Sequence, residues 1–199
     1  YAEQLGYRIK LLGIAKRQEN GVELRVHPTL IPAKRLLANV EGAMNAVVVK
    51  GDAVGTTLYY GKGAGAEPTA SAVIADLVDV TRLATADPEH RVPHLAFQPD
   101  AMSSLPVLPM SEVITGNYLR LRVEDKAGVL ADVTRILADH SISIDAMLQG
   151  EPEEGEGETD IIILTHTCLE SAAIAAIGKI EALSAVKGAV KRIRLEELQ

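Results

Sequence analysis

Apolar positions recur along this chain at two spacings, every second residue and every three to four, and the spacing changes at polar turns. Residues 7–15 form an apolar run suited to a strand. Residues 17–21 are polar and end in Asn20-Gly21, a strong hairpin signal. Residues 22–27 alternate cleanly, so the two segments are expected to pair antiparallel, with Pro28 and Pro32 ending the second strand. A short helix or turn over 33–38 leads to strands at 45–50 and 55–60, joined at Gly51-Asp52. After a glycine-rich loop, Val73, Leu77, Val80 and Ala84 define one face of a helix.

Residues 85–116 lose both periods. Pro88, Pro93, Pro99, Pro106 and Pro109 punctuate them, which predicts a linker pinned to a domain surface at isolated apolar residues such as Leu105, Val107 and Leu108. Beyond it Leu119, Leu121 and Val123 alternate with Arg120 and Arg122, and the alternation stops at the polar turn 124–128. Leu130, Val133 and Leu137 then mark a helix, and Ile142 and Ile144 alternate with Ser141, Ser143 and Asp145 as a second strand. The run Ile161, Ile162, Ile163, Leu164 suits a strand covered on both faces. Leu169, Ala173, Ala176, Ile180 and Leu183 predict a second helix, and Ile193 and Leu195 a closing strand. The order over 117–197 is βαββαβ, a ferredoxin-like unit. The expected class is α+β, with a mixed sheet-plus-helix domain over 1–84, a linker over 85–116 and the βαββαβ domain over 117–199.

Composition narrows the classes. There is no tryptophan and one phenylalanine, so the core is aliphatic. A formal charge of −7 argues against nucleic acid, and no apolar run approaches a membrane span. A lone Cys168 fits a reducing compartment, the cytoplasm. The five histidines, His27, His90, His94, His140 and His166, lack metal spacing, and Pro93 separates His90 from His94. Residues 151–160 carry six acidic groups and read as a solvated hairpin tip. The chain starts at Tyr1 in what reads as the middle of something, so a piece of a longer protein is expected.

The turn Asp125-Lys126-Ala127-Gly128-Val129-Leu130, between a strand and a helix start, resembles the D-x-x-G-V-L of ACT domains, which bind amino acids and regulate biosynthetic enzymes. Asp125 can accept from a ligand ammonium, and the amides near Gly128 to Leu130 can donate to its carboxylate with help from the helix dipole. Turn chemistry alone would also favour Asp and Gly there. The resemblance implies that the site is completed across a two-fold by the second strand of a partner, here Ser143, Ile144 and Asp145.

Four earlier blocks resemble homoserine dehydrogenase: residues 7–15, residues 25–32, Asn45-Ala46-Val47, and Tyr60 to Val73 with its Gly61, Gly63 and Gly65. They lie in that family's order, and an ACT domain follows as in its threonine-regulated members. The resemblance implies an NAD(P)-dependent interconversion of aspartate semialdehyde and homoserine in threonine, methionine and isoleucine biosynthesis. Threonine is then the expected effector, and a dimer or tetramer the assembly. Gly63, Ala64, Gly65 and Thr69 would help to cradle the cofactor. Read from the residues alone, the loop is G-x-G-x-G rather than G-x-G-x-x-G, so a sharp turn remains the other reading. The family's nucleotide fingerprint and catalytic lysine have no counterpart in residues 1–199. This stretch alone is therefore expected to hold no catalytic residue, to be inactive and to bind no cofactor tightly. The alternative is a stand-alone amino-acid sensor without catalysis.

Overall fold

The computed structural model describes residues 1–87, 97, 99–150 and 157–198. They divide into two compact units, one of residues 1–38 with 105–199 and one of residues 39–104.

In the first unit, strands β1 (Tyr7–Gln18) and β2 (Gly21–Pro32) form the expected hairpin, both longer than the pattern suggests. The βαββαβ order follows as β5 (Ile114–Glu124), α2 (Val129–Asp139), β6 (Ile144–Gln149), β7 (Glu158–Thr165), α3 (Glu170–Glu181) and β9 (Lys191–Leu195), with a two-residue β8 (Cys168–Leu169) before α3. Strands run β1-β2-β9-β5-β7-β6 across one sheet, and β8 also pairs with β5. Within it β9-β5-β7-β6 is the ferredoxin-like arrangement, all antiparallel. The hairpin joins through a short parallel pairing of β2 with β9, Thr29 with Arg194 and Leu30 with Leu195.

One face of the sheet packs on α2 and α3 through Leu119, Leu121, Ile161, Ile163, Val133, Leu137, Ala176 and Ile180. The other buries Leu30, Tyr118, Ile162, Leu164 and Leu195, with Ala2, Leu5 and Tyr7 lying against them. Residues 161–164 are therefore covered on both faces, as the unbroken apolar run requires. Each such side chain contributes roughly 1.5–3 kcal/mol by leaving water.

Two expectations need correction. β6 begins at Ile144 rather than near Ser141, because Ser141 takes a left-handed φ of 57° that ends α2, and Ile142 plugs the core. β2 continues through Pro28: Leu30 O accepts from Glu196 N and Val22 N donates to Pro106 O, so even-numbered residues point their backbone groups away from β1. Pro28 then lacks a donor only on the side where the pairing with β9 has not yet begun. The face of β2 that is buried is the polar one. Glu23, Arg25, His27 and Thr29 are buried, while Val26 is 74% exposed.

In the second unit β3 (Met44–Gly51) and β4 (Gly55–Lys62) form an antiparallel hairpin, and α1 (Ala66–Thr85) follows the glycine-rich loop. α1 has no buried residue, and Val73, Leu77 and Val80 are all exposed. Of the linker, residues 105–108 run beside Val22, through Val22 N to Pro106 O at 2.8 Å and Leu108 N to Val22 O at 2.9 Å. Among the described residues no helix is long and apolar enough to cross a membrane.

Candidate functional site

β5 leaves the sheet at Glu124 and turns through 125–128 into α2, with Gly128 at the helix start in the left-handed conformation, φ 97°. An L side chain is strained at that φ, which accounts for glycine locally. A β-carbon at Gly128 would meet nothing within 4 Å, so the residue faces open space. That space is a cleft of about 260 Å³ lined by residues 123–130 together with Gln149 and Ile161. The structure thus brings Asp125, Lys126, Ala127, Gly128, Val129 and Leu130 together around one concavity at a helix N-terminus.

The turn is held from behind. Asp125 N donates to Gly157 O at 2.9 Å, and Asp132 N closes the first turn of α2 on Gly128 O at 3.0 Å. Lys126 Nζ and Lys187 Nζ both reach the Glu124 carboxylate, at 2.7 and 2.6 Å. Those hydrogen bonds, Lys126 first, hold the Glu124 carboxyl at about 2. Lys126 is thereby engaged inside the turn. Asp125 is exposed and, among the described residues, has no ion-pair partner. The cleft therefore offers a carboxylate, helix-start amides and an apolar floor of Val123 and Ile161. This is the donor and acceptor set that a zwitterion needs.

Ser143, Ile144 and Asp145 are not in this cleft. Ser143 precedes β6, Ile144 and Asp145 start it, and its other end, Gln149, lines the cleft opposite Ile161. Asp145 lies 3.8 Å from His166 Nε2, and Ser143 O accepts from His166 N. Gln149 and Ile161 carry no signal in the sequence, because only the β5–β7 and β6–β7 registers together place them beside a turn more than twenty residues earlier. The run of acids after Gln149 gives the segment the look of a loop. Of that run, residues 151–156 lie outside the described residues, as do His90 and His94.

In the second unit Gly63, Ala64, Gly65 and Thr69 lie together at the start of α1, all exposed. Gly65 is the residue before the helix at φ 122°, and its O accepts from Thr69 N at 3.1 Å. At Gly63 a β-carbon would stand 2.1 Å from Asn45 Nδ2. The chain's own geometry thus favours glycine at position 65, while a side chain at position 63 would have to push the Asn45 amide aside. That geometry also leaves the backbone of both glycines open enough for a flat ring or a phosphate to approach.

A second polar arrangement belongs to no sequence motif. Glu170, at the start of α3, is 2% exposed and receives Arg192 Nη2 at 2.6 Å and Arg194 Nε at 3.0 Å, with a further bond from Arg194 Nη2. Burial alone would raise the Glu170 carboxyl, but the hydrogen bonds from Arg194 and Arg192 outweigh it and hold it below the usual range. Cys168, beside this cluster, is buried and its thiol is pushed up by that burial, so it is a poor nucleophile. Among the described residues no group of three or more His, Cys, Asp or Glu is placed to hold a metal ion.

Residues 1–78 match the family model of homoserine dehydrogenase, and residues 117–184 that of the ACT domain. The homoserine dehydrogenase of Pseudomonas aeruginosa is 58% identical over 100% of this chain and 46% of its own length. That of Neisseria gonorrhoeae is 53% identical over 100% of this chain and 45% of its own. A crystal structure of a homoserine dehydrogenase from Thiobacillus denitrificans superposes with a TM-score of 0.91 at 71% identity, covering all of this chain and 44% of that one. The chain spans just under half the length of the relatives it matches, and corresponds to their C-terminal part.

Proposed function

We propose that this chain, carrying homoserine dehydrogenase sequence followed by an ACT domain, serves as the regulatory and part of the substrate portion of an enzyme that interconverts aspartate semialdehyde and homoserine. The observation that carries the regulatory half is the cleft at the β5–α2 turn, where an exposed Asp125 stands beside helix-start amides on an apolar floor. An α-amino acid presents an ammonium to the first and a carboxylate to the second, and threonine is the effector proposed. Its methyl group would lie toward Val123 and Ile161, and its hydroxyl within reach of Gln149.

β6 is an edge strand of the sheet, at the end opposite β1. Two copies pairing there about a two-fold run antiparallel, which sets the start of one β6 beside the end of the other. Ser143, Ile144 and Asp145 of a second copy would then close the cleft over Gln149. That arrangement gives the family-derived contacts of these three residues a physical route, and it makes the functional unit at least a dimer. In the other unit, the exposed backbone of Gly63, Ala64 and Gly65 with Thr69 fits a role in holding an NAD(P) cofactor, which would supply the hydride-transfer chemistry.

Calorimetric titration of threonine into this chain tests the reading. One site per chain is expected, and Asp125→Ala should weaken it by about 2–5 kcal/mol, the range for truncating one side of a charge pair that the partner buries. Parental affinity in the variant would move the effector site elsewhere.

A further inference from the structure

Residues 1–38 lie inside the match to homoserine dehydrogenase, yet they pack in one compact unit with the ACT domain. The seam between β2 and β9 is therefore a junction between dehydrogenase sequence and regulatory domain. Its backbone ladder is short: two residue pairs and the bond from Glu196 N to Leu30 O at 2.9 Å. Beside that ladder the seam is ionic. Arg25 donates from Nε to Glu23 and from Nη2 to Glu196 at 2.8 Å, and Lys16 Nζ reaches the same Glu196 carboxylate at 2.7 Å. Arg25 Nη1 lies 3.1 Å from His27 Nε2. An arginine only donates, so Nε2 accepts and the proton sits on Nδ1, which donates to Pro28 O at 3.0 Å. His27 in turn feels the charges of Arg194 and Glu170, members of the second cluster.

Clusters of this kind are poor stabilisers, since replacing buried ion pairs with apolar residues is often neutral or favourable. Apolar packing tolerates sliding. A charge-assisted hydrogen bond does not, and a pair broken in a dry place leaves both charges desolvated. A seam built of such bonds is either closed or open, which is the property that lets one domain report its state to another. β9 is suited to carry that report. It pairs with β5, the strand that ends at the cleft turn, and Glu124 at that end is tied to Lys187 just before β9.

We propose that the Lys16–Glu196–Arg25–Glu23 cluster is the joint through which ligand binding at the ACT cleft is transmitted to the dehydrogenase hairpin, with Glu196 as its positioning residue. The proposal rests on the reading of the cleft as an effector site.

The test uses the full-length protein. Threonine binding is read by calorimetry, and dehydrogenase rate is read with and without saturating threonine. Coupling factors of about 5- to 150-fold are usual between linked sites. In Glu196→Gln, the ratio of uninhibited to inhibited rate should fall below about 2-fold, while threonine still binds and the uninhibited rate stays within about 2-fold of the parent. A purely structural role would lower both rates together and leave their ratio alone. Should Glu196→Gln fail to fold, Lys16→Met probes the joint from the half-exposed end of the cluster, where the same ratio should drop in a folded protein. A variant that binds threonine and is inhibited as fully as the parent overturns the joint alone. A parent that neither binds an amino acid nor responds to one overturns the effector reading and the joint with it.

Discussion

Helices α1 and α2 carry the same apolar period and meet opposite fates. In α2 the stripe of Val129, Val133 and Leu137 is buried against the sheet. In α1 the stripe of Val73, Leu77 and Val80 is exposed, at 52%, 58% and 63%. Periodicity reports which face of a helix wants cover. Whether the cover lies in the same unit depends on the elements that follow, and the ACT domain supplies its own sheet within eighty residues. α1 follows a two-stranded hairpin alone.

The largest test of the contrast is ionic. Glu170→Ala leaves two arginines without their shared carboxylate in a nearly dry site and should cost the ACT unit about 3–5 kcal/mol, read by urea denaturation. The same group predicts acid lability. Its carboxyl is held below the ordinary 4.5, so its contribution is fully present above that pH and is lost as pH falls through the lower folded value. Next in size, Leu137→Ala in α2 should cost about 2–5 kcal/mol, while Leu77→Ala in α1 should stay within about 0.5 kcal/mol. Equal costs would show that α1 is as well covered as α2 and break the comparison.

Gly128→Ala should cost about 1–2 kcal/mol from the left-handed conformation alone, since no neighbour crowds the position. The smallest effect belongs to His27. Burial first, then the charges of Arg194 and Arg25, lower its pKa from 6.5 against the pull of Pro28 O and Glu170. The unfolded chain therefore takes up its proton first, and stability should decline as pH falls below 6.5. His27→Gln should flatten that slope in a pH series of melting temperatures.

How much of this is legible in the sequence follows from physics rather than from length of pattern. The βαββαβ order is readable because each element alternates or repeats around a core the same domain provides. The cleft turn is readable because Asp125 and Gly128 are turn residues with chemistry of their own. Gln149 and Ile161 are not, since strand register is a tertiary fact. The covered face of β2 is not legible either, because alternation alone does not say which of its sides is buried. Glu23 and Arg25 are buried because they neutralise each other and Arg25 also pairs with Glu196, which Lys16 holds in turn, and nothing near residue 25 announces a partner at 196.

That distance has a kinetic meaning. Arg25 and Glu196 stand 171 positions apart in the chain, so their bond closes a very long loop. The hairpin and the ACT sheet can each form from nearby residues, but the seam can shut only after both exist. Docking should appear as the slow, late phase of refolding. The face of β2 that waits for β9 is the charged one, and charged groups left in water stay hydrated and do not seek other chains. The ionic face thus gives the half-folded molecule time: its longest-range contact can come last without exposing a sticky surface there while it waits.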